Sequence, residues 1–414
     1  MSPVGARGRC VKVPPSRICL LTHYYPPERG APQVRLEALA RELAARGHEP
    51  VVHTGFPNYP SGRIAAPYAN RPVAHDRDAS GIPVVRSLVL PAPNAGFTRR
   101  ILNHAVFAGS ALATAGRTGP VEVVVAETPP LFTAAAAVGY ARRKRAPLVL
   151  NVADRWPASA VALGALGDRR AIAAAERLEA WCYRHAAAVV APTRRLAAAL
   201  AGHPDTRRVV HVPPAVDLGR FADPGAPVAD GPLHVVYAGT VGMAQAVETL
   251  VEAAALAGPG VVRVTIAGEG AEAEGVRRAI ARSGASNVEA IGQRPPGEIP
   301  ALYASAGAGA VLLHDAPLFE EALPTKILEV MAAGRPVALA ARGEAAELVE
   351  EAGCGLVVAP RDAPALAEAL RRLAADPELR ERLGAAGRRH VERHHTRGAA
   401  AGAWEELLRD VARS

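Results

Sequence analysis

Short apolar runs alternate with amphipathic stretches along almost the whole chain. In the first half, the apolar runs predict strands at 17–22, 48–53, 83–89, 121–126, 148–152 and 187–192. The stretch 32–46 has helical spacing. Its predicted apolar face consists of Val34, Leu36, Leu39, Ala40 and Leu43. Strand, loop, helix and strand form a βαβ unit, and a series of such units predicts a parallel sheet.

The same alternation begins again after a segment rich in proline, glycine and aspartate at 221–232. Predicted strands in this second half lie at 233–238, 262–267, 288–291, 308–313, 337–340 and 355–358. Helical patterns separate most of them. We therefore expect an α/β protein with two Rossmann-like, doubly wound domains that face each other across a cleft.

These patterns also predict the domain bounds. They are a disordered tail at 1–15, a first domain at 16–215, a linker at 216–232, a second domain at 233–390 and a C-terminal helix at 391–414. The pattern is helical from 376 to 411, and its last apolar face consists of Trp404, Leu407, Leu408 and Val411. We expect this last helix to pack back on the first domain.

The stretch 318–337 combines a loop, a helix and the start of a buried strand. Pro324 stiffens the loop, and we expect Thr325 to be the N-cap, because a threonine hydroxyl accepts hydrogen bonds from free helix amides. The apolar face of this helix consists of Ile327, Leu328, Met331 and Ala332. Two charged side chains, Lys326 and Glu329, remain one turn apart near the helix start.

Lys326 is a candidate for contact with a phosphate group. A helix N-terminus presents free N–H groups and the positive end of the helix dipole, which suit an anion but disfavour a lysine unless an anion is also bound. The chain has only three lysines among its 48 lysine and arginine residues. A lysine at this position is therefore an exception in a chain whose basic residues are mostly arginines. The alternative is that Lys326 and Glu329 form an ordinary surface pair.

Turn-rich loops follow several predicted strands, and in parallel sheets ligands bind at the carboxyl ends of the strands. Gly30 either lets the backbone approach a phosphate or forms a tight turn. Asn58 and Tyr59, in the loop at 56–62, suit a polar ring-shaped acceptor or serve only the turn. Asp154 lies just beyond a buried strand, where it either orients substrate or caps the next helix.

Composition narrows the class of ligand and the setting. The net charge of +8 comes mainly from scattered arginines and only 4% of the residues are aromatic, so phosphorylated ligands or an anionic membrane face fit better than nucleic acid. The four cysteines are widely spread, which suggests neither a zinc site nor a disulfide framework and indicates a reducing, cytoplasmic setting. No apolar run approaches the roughly 20 residues that span a bilayer, and the first 15 residues lack the apolar core of a signal peptide.

Seven short motifs occur in order along the chain. They are His-Tyr-Tyr-Pro-Pro-Glu (23–28), Arg-Gly-His (46–48), Phe-Pro-Asn-Tyr-Pro-Ser-Gly (56–62), Asp-Arg-Trp-Pro (154–157), Tyr-Ala-Gly-Thr-Val-Gly (237–242), Ala-Gly-Glu-Gly (267–270) and Pro-Thr-Lys-Ile-Leu-Glu (324–329). Together they resemble the retaining family-four glycosyltransferases, which have the GT-B fold. Within that family the chain is similar to the colanic-acid and O-antigen transferases, a subgroup that includes N-acetyl-fucosamine transferases.

The resemblance implies a nucleotide-diphosphate sugar as donor, held by the second domain, with neither a cofactor nor a metal. Glu321 and Glu329 match the family's E-x7-E pair. By this resemblance Glu329 holds the ribose hydroxyls and Glu321 holds a hydroxyl of the donor sugar. Lys326 neutralises charge on the leaving diphosphate, and Asp154 faces the acceptor. The implied catalytic residues are therefore Asp154, Glu321 and Lys326.

The remaining implied donor contacts come from loops. The segment that reaches the sugar and the diphosphate consists of Ala322, Leu323, Pro324 and Thr325. Gly292 falls where the family binds the base, while Gly30 and Gly239 frame the diphosphate. Many family members carry an arginine and a lysine after the first strand of the second domain, whereas these regions contain Thr240 and Gln245. Because of this departure, binding of the diphosphate is expected to depend more strongly on Lys326.

Two further positions differ from the family pattern or permit two assignments. The usual Pro-Asn-Gly after the first domain is Pro-Pro-Ala at 213–215. Glu320 adjoins Glu321, so either glutamate can be the first member of the E-x7-E pair.

The leading hypothesis is a metal-independent, retaining glycosyltransferase that acts in cell-surface polysaccharide or glycoconjugate assembly. Its acceptor is either lipid-linked, which would imply peripheral association with the inner face of the membrane, or a small molecule. A nucleotide-sugar 2-epimerase shares the fold but should carry more acid–base residues. An inactive partner subunit is favoured by the altered loop at Thr240 and opposed by Lys326 and Glu329. The absence of a G-x-G-x-x-G motif disfavours a Rossmann dehydrogenase.

Overall fold

The computed structural model describes residues 16–28, 30–59, 61–92, 97–222 and 231–413. The predicted tail at 1–15 and the middle of the predicted linker, 223–230, lie outside these ranges, as do Arg29 and Pro60 in the two turn-rich loops. The described residues form two sheets with helices between the strands.

The first sheet has eight strands. They are β1 Arg17–Leu21, β2 Glu49–Gly55, β3 Val73–Arg77, β4 Pro83–Ser87, β5 Val123–Thr128, β6 Leu148–Val152, β7 Ala188–Ala191 and β8 Val209–His211. The helices of this half are α1 Ala31–Ala45, α2 Phe97–Ala113, α3 Leu131–Lys144, α4 Ala158–Ala162, α5 Arg169–His185 and α6 Arg194–Ala201. The strand order is β3-β4-β2-β1-β5-β6-β7-β8. Strand β3 is antiparallel to β4, whereas β1 is parallel to both β2 and β5, as the βαβ pattern predicts.

The second sheet has six strands in the order β11-β10-β9-β12-β13-β14, and all its pairings are parallel. The strands are β9 Leu233–Ala238, β10 Val262–Ala267, β11 Val288–Ala290, β12 Ala308–Leu312, β13 Val337–Ala340 and β14 Gly355–Val358. The helices are α7 Glu248–Ala257, α8 Ala273–Ser283, α9 Ile299–Ala304, α10 Thr325–Ala332, α11 Glu344–Ala352, α12 Ala363–Ala375, α13 Pro377–His394 and α14 Arg397–Ala412.

Strand β9 shows why the apolar runs in this sheet are continuous. Val235 and Tyr237 point to one face, where they join an apolar core with α7, α8 and α12. Val236 and Ala238 point to the other face and join a second core, with α9, α10 and α11. Because helices cover both faces, every position of the strand is buried, and the chain forms the doubly wound α/β layers that the sequence predicts.

The chain divides into two compact units. Unit 1 contains the described residues up to Ala126, together with Ala136–Leu148 and the end of the chain from Val411. Unit 2 contains Glu127–Ala135 and Val149–Asp410, and so includes the whole second sheet together with β7 and β8.

Two details of the predicted helices are wrong. Val34 is 41% exposed, and Gln33 is buried beside it instead, because the inward stripe of α1 runs through Gln33, Leu36, Leu39, Ala40 and Leu43. The N-cap of α10 is Pro324, and Thr325 is already the first helical residue. Pro324 has extended backbone angles that suit this position, since a proline ring fixes φ near the value found there.

The predicted helical stretch at 376–411 consists of two helices, α13 and α14, that are separated at His395 and Thr396. Thr396 forms an isolated parallel bridge with Val216, and the Pro214 carbonyl lies 2.8 Å from His395 Nδ1. Trp404, Leu407 and Leu408 of α14 are buried, as predicted. Arg208, which precedes β8, forms an ion pair of 3.1 Å with Asp410 at the end of the same helix.

Candidate active site

The start of α10 places its two charged side chains at the edge of the core. Ile327, Leu328 and Met331 are fully buried against the second sheet, which leaves Lys326 and Glu329 on the partly exposed side of the helix. The N-cap Pro324 makes no side-chain capping bond. No side-chain oxygen of the N-cap therefore competes for the first N–H groups of this helix, and a helix start of this kind suits an anion.

Lys326 lies at the glycine turn that follows β9. Its Nζ donates to Tyr237 Oη at 2.6 Å and lies 3.9 Å from the centroid of the same ring. The Tyr237 hydroxyl in turn donates to the Thr240 carbonyl at 2.5 Å. Burial lowers the pKa of Lys326 to about 7, and the charge of Glu329 opposes this shift. None of the ion pairs between described residues involves Lys326, so its ammonium is held by a hydroxyl and a ring rather than by a carboxylate.

Gly239 is where this lysine reaches the turn. Its φ of 137° lies in the region that side chains rarely adopt, and a Cβ built there would lie 3.2 Å from Lys326 Nζ. The structure thus brings Lys326, Gly239 and Thr240 together. Gln245, one of the two positions where the sequence departs from the resemblance, accepts from the Gly242 N–H at 3.1 Å.

Glu329 lies beside two basic residues. Burial raises the pKa of Glu329, and the charges of Arg220 and then Lys326 oppose the rise. Arg220 belongs to a 3-10 turn, Leu218–Phe221, and donates to the Pro296 carbonyl. No sequence motif marks this turn, so nothing in the sequence indicates a role for Arg220.

Glu321 is held at both its carboxylate and its carbonyl. Arg155 Nε donates to Oε2 at 2.9 Å and Arg155 Nη2 donates to Oε1 at 2.6 Å. The Thr193 hydroxyl donates to the Glu321 carbonyl at 2.7 Å. The neighbouring Glu320 takes a different direction and forms an exposed ion pair with Arg195 at 3.1 Å.

Asp154 and Glu179 lie in the electrostatic surroundings of Arg155. Burial raises the pKa of Asp154, the charge of Glu321 raises it further, and hydrogen bonds from Ser159 and the Arg155 N–H oppose the rise. Burial likewise raises the pKa of Glu179 to about 7, and Glu179 accepts from the Tyr183 hydroxyl at 2.8 Å. Asp154 therefore contacts a residue of α4, but the N-cap of that helix is Pro157.

The other predicted donor residues lie along loops of unit 2. Ala322, Leu323 and Pro324 form the half-buried link between a 3-10 turn and α10, and Thr325 is exposed at the helix start. Gly292 follows β11 with a positive φ of 70°, and a Cβ there would lie 3.5 Å from Glu269 Oε1.

Gly30 belongs to unit 1, where it is the N-cap of α1. Its φ of 170° is extended backbone, which other residues also adopt. In the same loop, Glu28 accepts from the backbone N–H groups of Asn58 and Tyr59 at 2.7 and 2.8 Å. Burial raises the pKa of Glu28 to about 7, with these hydrogen bonds opposing the rise. The loops after β1 and β2 are therefore joined through one buried carboxyl group.

Two further properties of the described residues bear on the site. No group of three or more His, Cys, Asp or Glu side chains within these ranges has the arrangement to hold a metal ion. Among the helices of the same ranges, none combines the length and the apolar character needed to cross a membrane.

A doubly wound α/β chain with a cation at a helix start beside a glycine turn is typical of proteins that bind nucleotides. Residues 30–215 match the family model of the glycosyl transferase 4-like domain, and residues 222–390 match that of glycosyl transferases group 1. The two matches leave only 216–221 between them. The chain therefore belongs to the family-four type of glycosyltransferases, with the GT-B fold.

One curated protein is similar to this chain in sequence, and two solved structures are similar to it in fold. The chain is 30% identical over 248 residues to D-inositol 3-phosphate glycosyltransferase of Streptomyces avermitilis. This aligned region covers 55% of this chain and 50% of that protein. The chain thus spans about half the length of this curated relative. Sucrose-phosphate synthase of Thermosynechococcus elongatus has a TM-score of 0.75 at 20% identity, covering 96% of this chain and all of that one. Anabaena HepE in complex with UDP-glucose has a TM-score of 0.71 at 17% identity, covering 95% and 100%.

Proposed function

We propose that this protein transfers a sugar from a nucleotide-diphosphate sugar to a hydroxyl group of an acceptor, with retention of configuration at the sugar. The observation that carries the proposal is the position of Lys326. Its ammonium is anchored on Tyr237 at the glycine turn, 3.2 Å from where a Cβ of Gly239 would lie, and has no carboxylate partner among the described ion pairs. A diphosphate is the anion that this helix start and this cation suit together.

Transfer of the sugar requires a positive charge beside the diphosphate. When the bond between sugar and diphosphate breaks, negative charge grows on the leaving diphosphate and positive charge grows on the sugar. Lys326 and the first amides of α10 stabilise the first of these charges. Because burial lowers the pKa of Lys326 to about 7, arrival of the diphosphate restores its proton and strengthens the contact.

The remaining roles follow from the positions around this lysine. Glu329, flanked by Lys326 and Arg220, accepts from the ribose hydroxyls, and Gly292 borders the base. Glu321 accepts from a hydroxyl of the donor sugar. Asp154, in the charge surroundings of Glu321, faces the acceptor. HepE, whose fold is similar to that of this chain, was solved with UDP-glucose, which supports a nucleotide sugar as the donor.

Binding of a donor is the first test. We would measure thermal stability with UDP-, GDP- and dTDP-sugars on the wild type, Glu329→Ala and a control, Glu350→Ala, which removes an exposed glutamate. A ligand at a hundred times its Kd stabilises a protein by about 2.7 kcal/mol, which such a scan detects. We expect a shift in the wild type and in the control, and its loss in Glu329→Ala.

The outcomes separate the proposal from its rivals. If the folded wild type responds to none of these sugar nucleotides, the result favours an inactive partner subunit over a transferase. If Glu329→Ala responds like the wild type, the donor binds elsewhere. A retained anomeric configuration in the product, read by proton NMR, supports retention, whereas an inverted one refutes it. A 2-epimerase would convert the donor without any acceptor.

The acceptor classes are a lipid-linked sugar, with the protein peripheral on the inner face of the membrane, and a small soluble molecule. The net charge of +8 supports the first, because basic residues are attracted to anionic lipid. Transfer assays with a polyprenyl-diphosphate sugar in vesicles and with soluble glycosides distinguish the two.

A further inference from the structure

The carboxylate of Glu321 is fixed by a residue from the first half of the chain. Arg155 donates from Nε and Nη2 to the two oxygens at 2.9 and 2.6 Å, which is the fork arrangement that gives a guanidinium its directional strength. The Arg155 side chain is 35% exposed and that of Glu321 is 19% exposed, so the pair is partly shielded from water. A lysine in place of Arg155 keeps the charge but not the fork.

The backbone at Glu321 is fixed as well. Thr193 is the N-cap of α6 and its hydroxyl donates to the Glu321 carbonyl at 2.7 Å. Glu321 is thus held by two residues that belong to the segments after β6 and β7. Neither its carboxylate nor its main chain depends only on the short 3-10 turn in which it lies.

Arg155 also balances the charge of its surroundings. The group around it consists of Asp154, Glu179 and Glu321, and Arg155 opposes the rise in pKa of both Asp154 and Glu179. Each oxygen of the Glu321 carboxylate still has a lone pair after accepting from Arg155, because an ionised carboxylate offers about four acceptor sites. Glu321 therefore remains able to accept hydrogen bonds from sugar hydroxyls.

We propose that Arg155 is a positioning residue for the donor sugar, which orients Glu321 towards the sugar hydroxyls and offsets its charge. The inference rests on the proposed function and deepens it. The inference also predicts that the protein prefers uncharged hexose donors to hexuronates. A carboxylate on the donor sugar would be repelled by the negative charges of Glu321 and Asp154, because the single positive charge of Arg155 does not neutralise both. The opposing idea is that Arg155 occupies Glu321 and must leave before a donor binds.

The test compares binding of a nucleotide sugar with binding of its nucleoside diphosphate. The probe pairs are UDP with UDP-glucose, GDP with GDP-mannose and dTDP with dTDP-glucose. UDP-glucuronate is added to test the effect of a negative charge on the sugar. The variants are Arg155→Met, Arg155→Lys and a control, Arg184→Met, which removes an exposed arginine paired with Asp205 at 2.7 Å in the same unit.

We expect Arg155→Met to bind the nucleoside diphosphate like the wild type and to bind the nucleotide sugar about ten- to a hundredfold more weakly, which is the value of one hydrogen bond to a charged group. Arg155→Lys should recover part of this loss. The acid limb of the pH profile of donor turnover should move to higher pH in Arg155→Met, because Asp154 loses a neighbouring positive charge. A purely structural role would not move that limb.

Each other outcome overturns the inference. Tighter binding of the sugar nucleotide by Arg155→Met would show that Arg155 occupies Glu321 and must leave before a donor binds. Equal loss of nucleoside diphosphate and nucleotide sugar, or a loss shared by Arg184→Met, shows a general structural effect. If Arg155→Met does not fold, Arg155→Lys decides the question, since it must then bind the sugar nucleotide more weakly and the nucleoside diphosphate equally. A wild type that binds none of the probes refutes the proposed function itself.

Discussion

Donor binding should depend on pH through Lys326. The pKa of this lysine is lowered to about 7 because its ammonium is buried against Tyr237, whereas an exposed lysine has an ordinary value near 10.5. A bound diphosphate requires the charged form. Binding therefore takes up a proton wherever the free protein holds Lys326 neutral, and affinity falls as pH rises through about 7.

The size of the effect follows from that pKa. Between about pH 6.5 and 8.5 the fraction of charged Lys326 in the free protein falls about 25-fold, and affinity falls by the same factor if the bound lysine stays charged. At about pH 7.5 each binding event takes up about 0.8 protons. UDP-glucose is a suitable probe because each of its two phosphates carries one strongly acidic group, so its charge is constant over this range.

Calorimetric titrations in two buffers that differ in ionisation enthalpy measure both the affinity and the proton uptake. Lys326→Arg should bind with almost no pH dependence, because an arginine remains charged throughout this range. Lys144→Arg, at a partly exposed lysine in unit 1, serves as the control and should keep the wild-type slope. A flat affinity in the wild type, or a slope that survives in Lys326→Arg, would refute the assignment of the diphosphate contact to Lys326.

Two stability predictions test the surroundings of the site by chemical denaturation. Gly268→Ala should lose about 1–3 kcal/mol, because its Cβ would lie 1.9 Å from the Gly239 carbonyl oxygen; Gly260→Ala, with open space around it, is the control. Glu344→Ala should lose about 1–3 kcal/mol by removing the acceptor of two backbone N–H groups at the start of α6, whereas the exposed Glu350→Ala should not. Equal losses in a variant and its control would contradict either prediction.

Much of the fold is readable from local patterns. The predicted strands at 233–238, 262–267 and 337–340 have the observed bounds, because continuous apolar runs with turn residues on either side identify buried parallel strands. The errors arise where a pattern permits two readings. Val34 has an apolar side chain at helical spacing but is exposed, and Thr325 has a capping side chain but lies one residue inside the helix.

The sequence predicts only part of the candidate site, for a different reason. The stretch around Lys326 carries a local contradiction, a cation at a helix start, that sequence alone reveals. Arg155 and Glu179 carry no such signal, since Arg155 reaches its partner Glu321 across 166 positions of chain. Composition also hides Arg155, because arginine is abundant throughout this sequence.

The buried carboxylate of Glu344 has a consequence for attempts to dissect the protein. Its two oxygens accept from the backbone N–H groups of Arg194 and Arg195, both at 2.9 Å, although about 150 positions of chain separate them. A fragment that begins at residue 231 keeps all six strands of the second sheet but leaves this carboxylate without its donors. Chimeras that exchange second halves between relatives must therefore carry a matched acceptor at this position, so the two halves are not interchangeable modules.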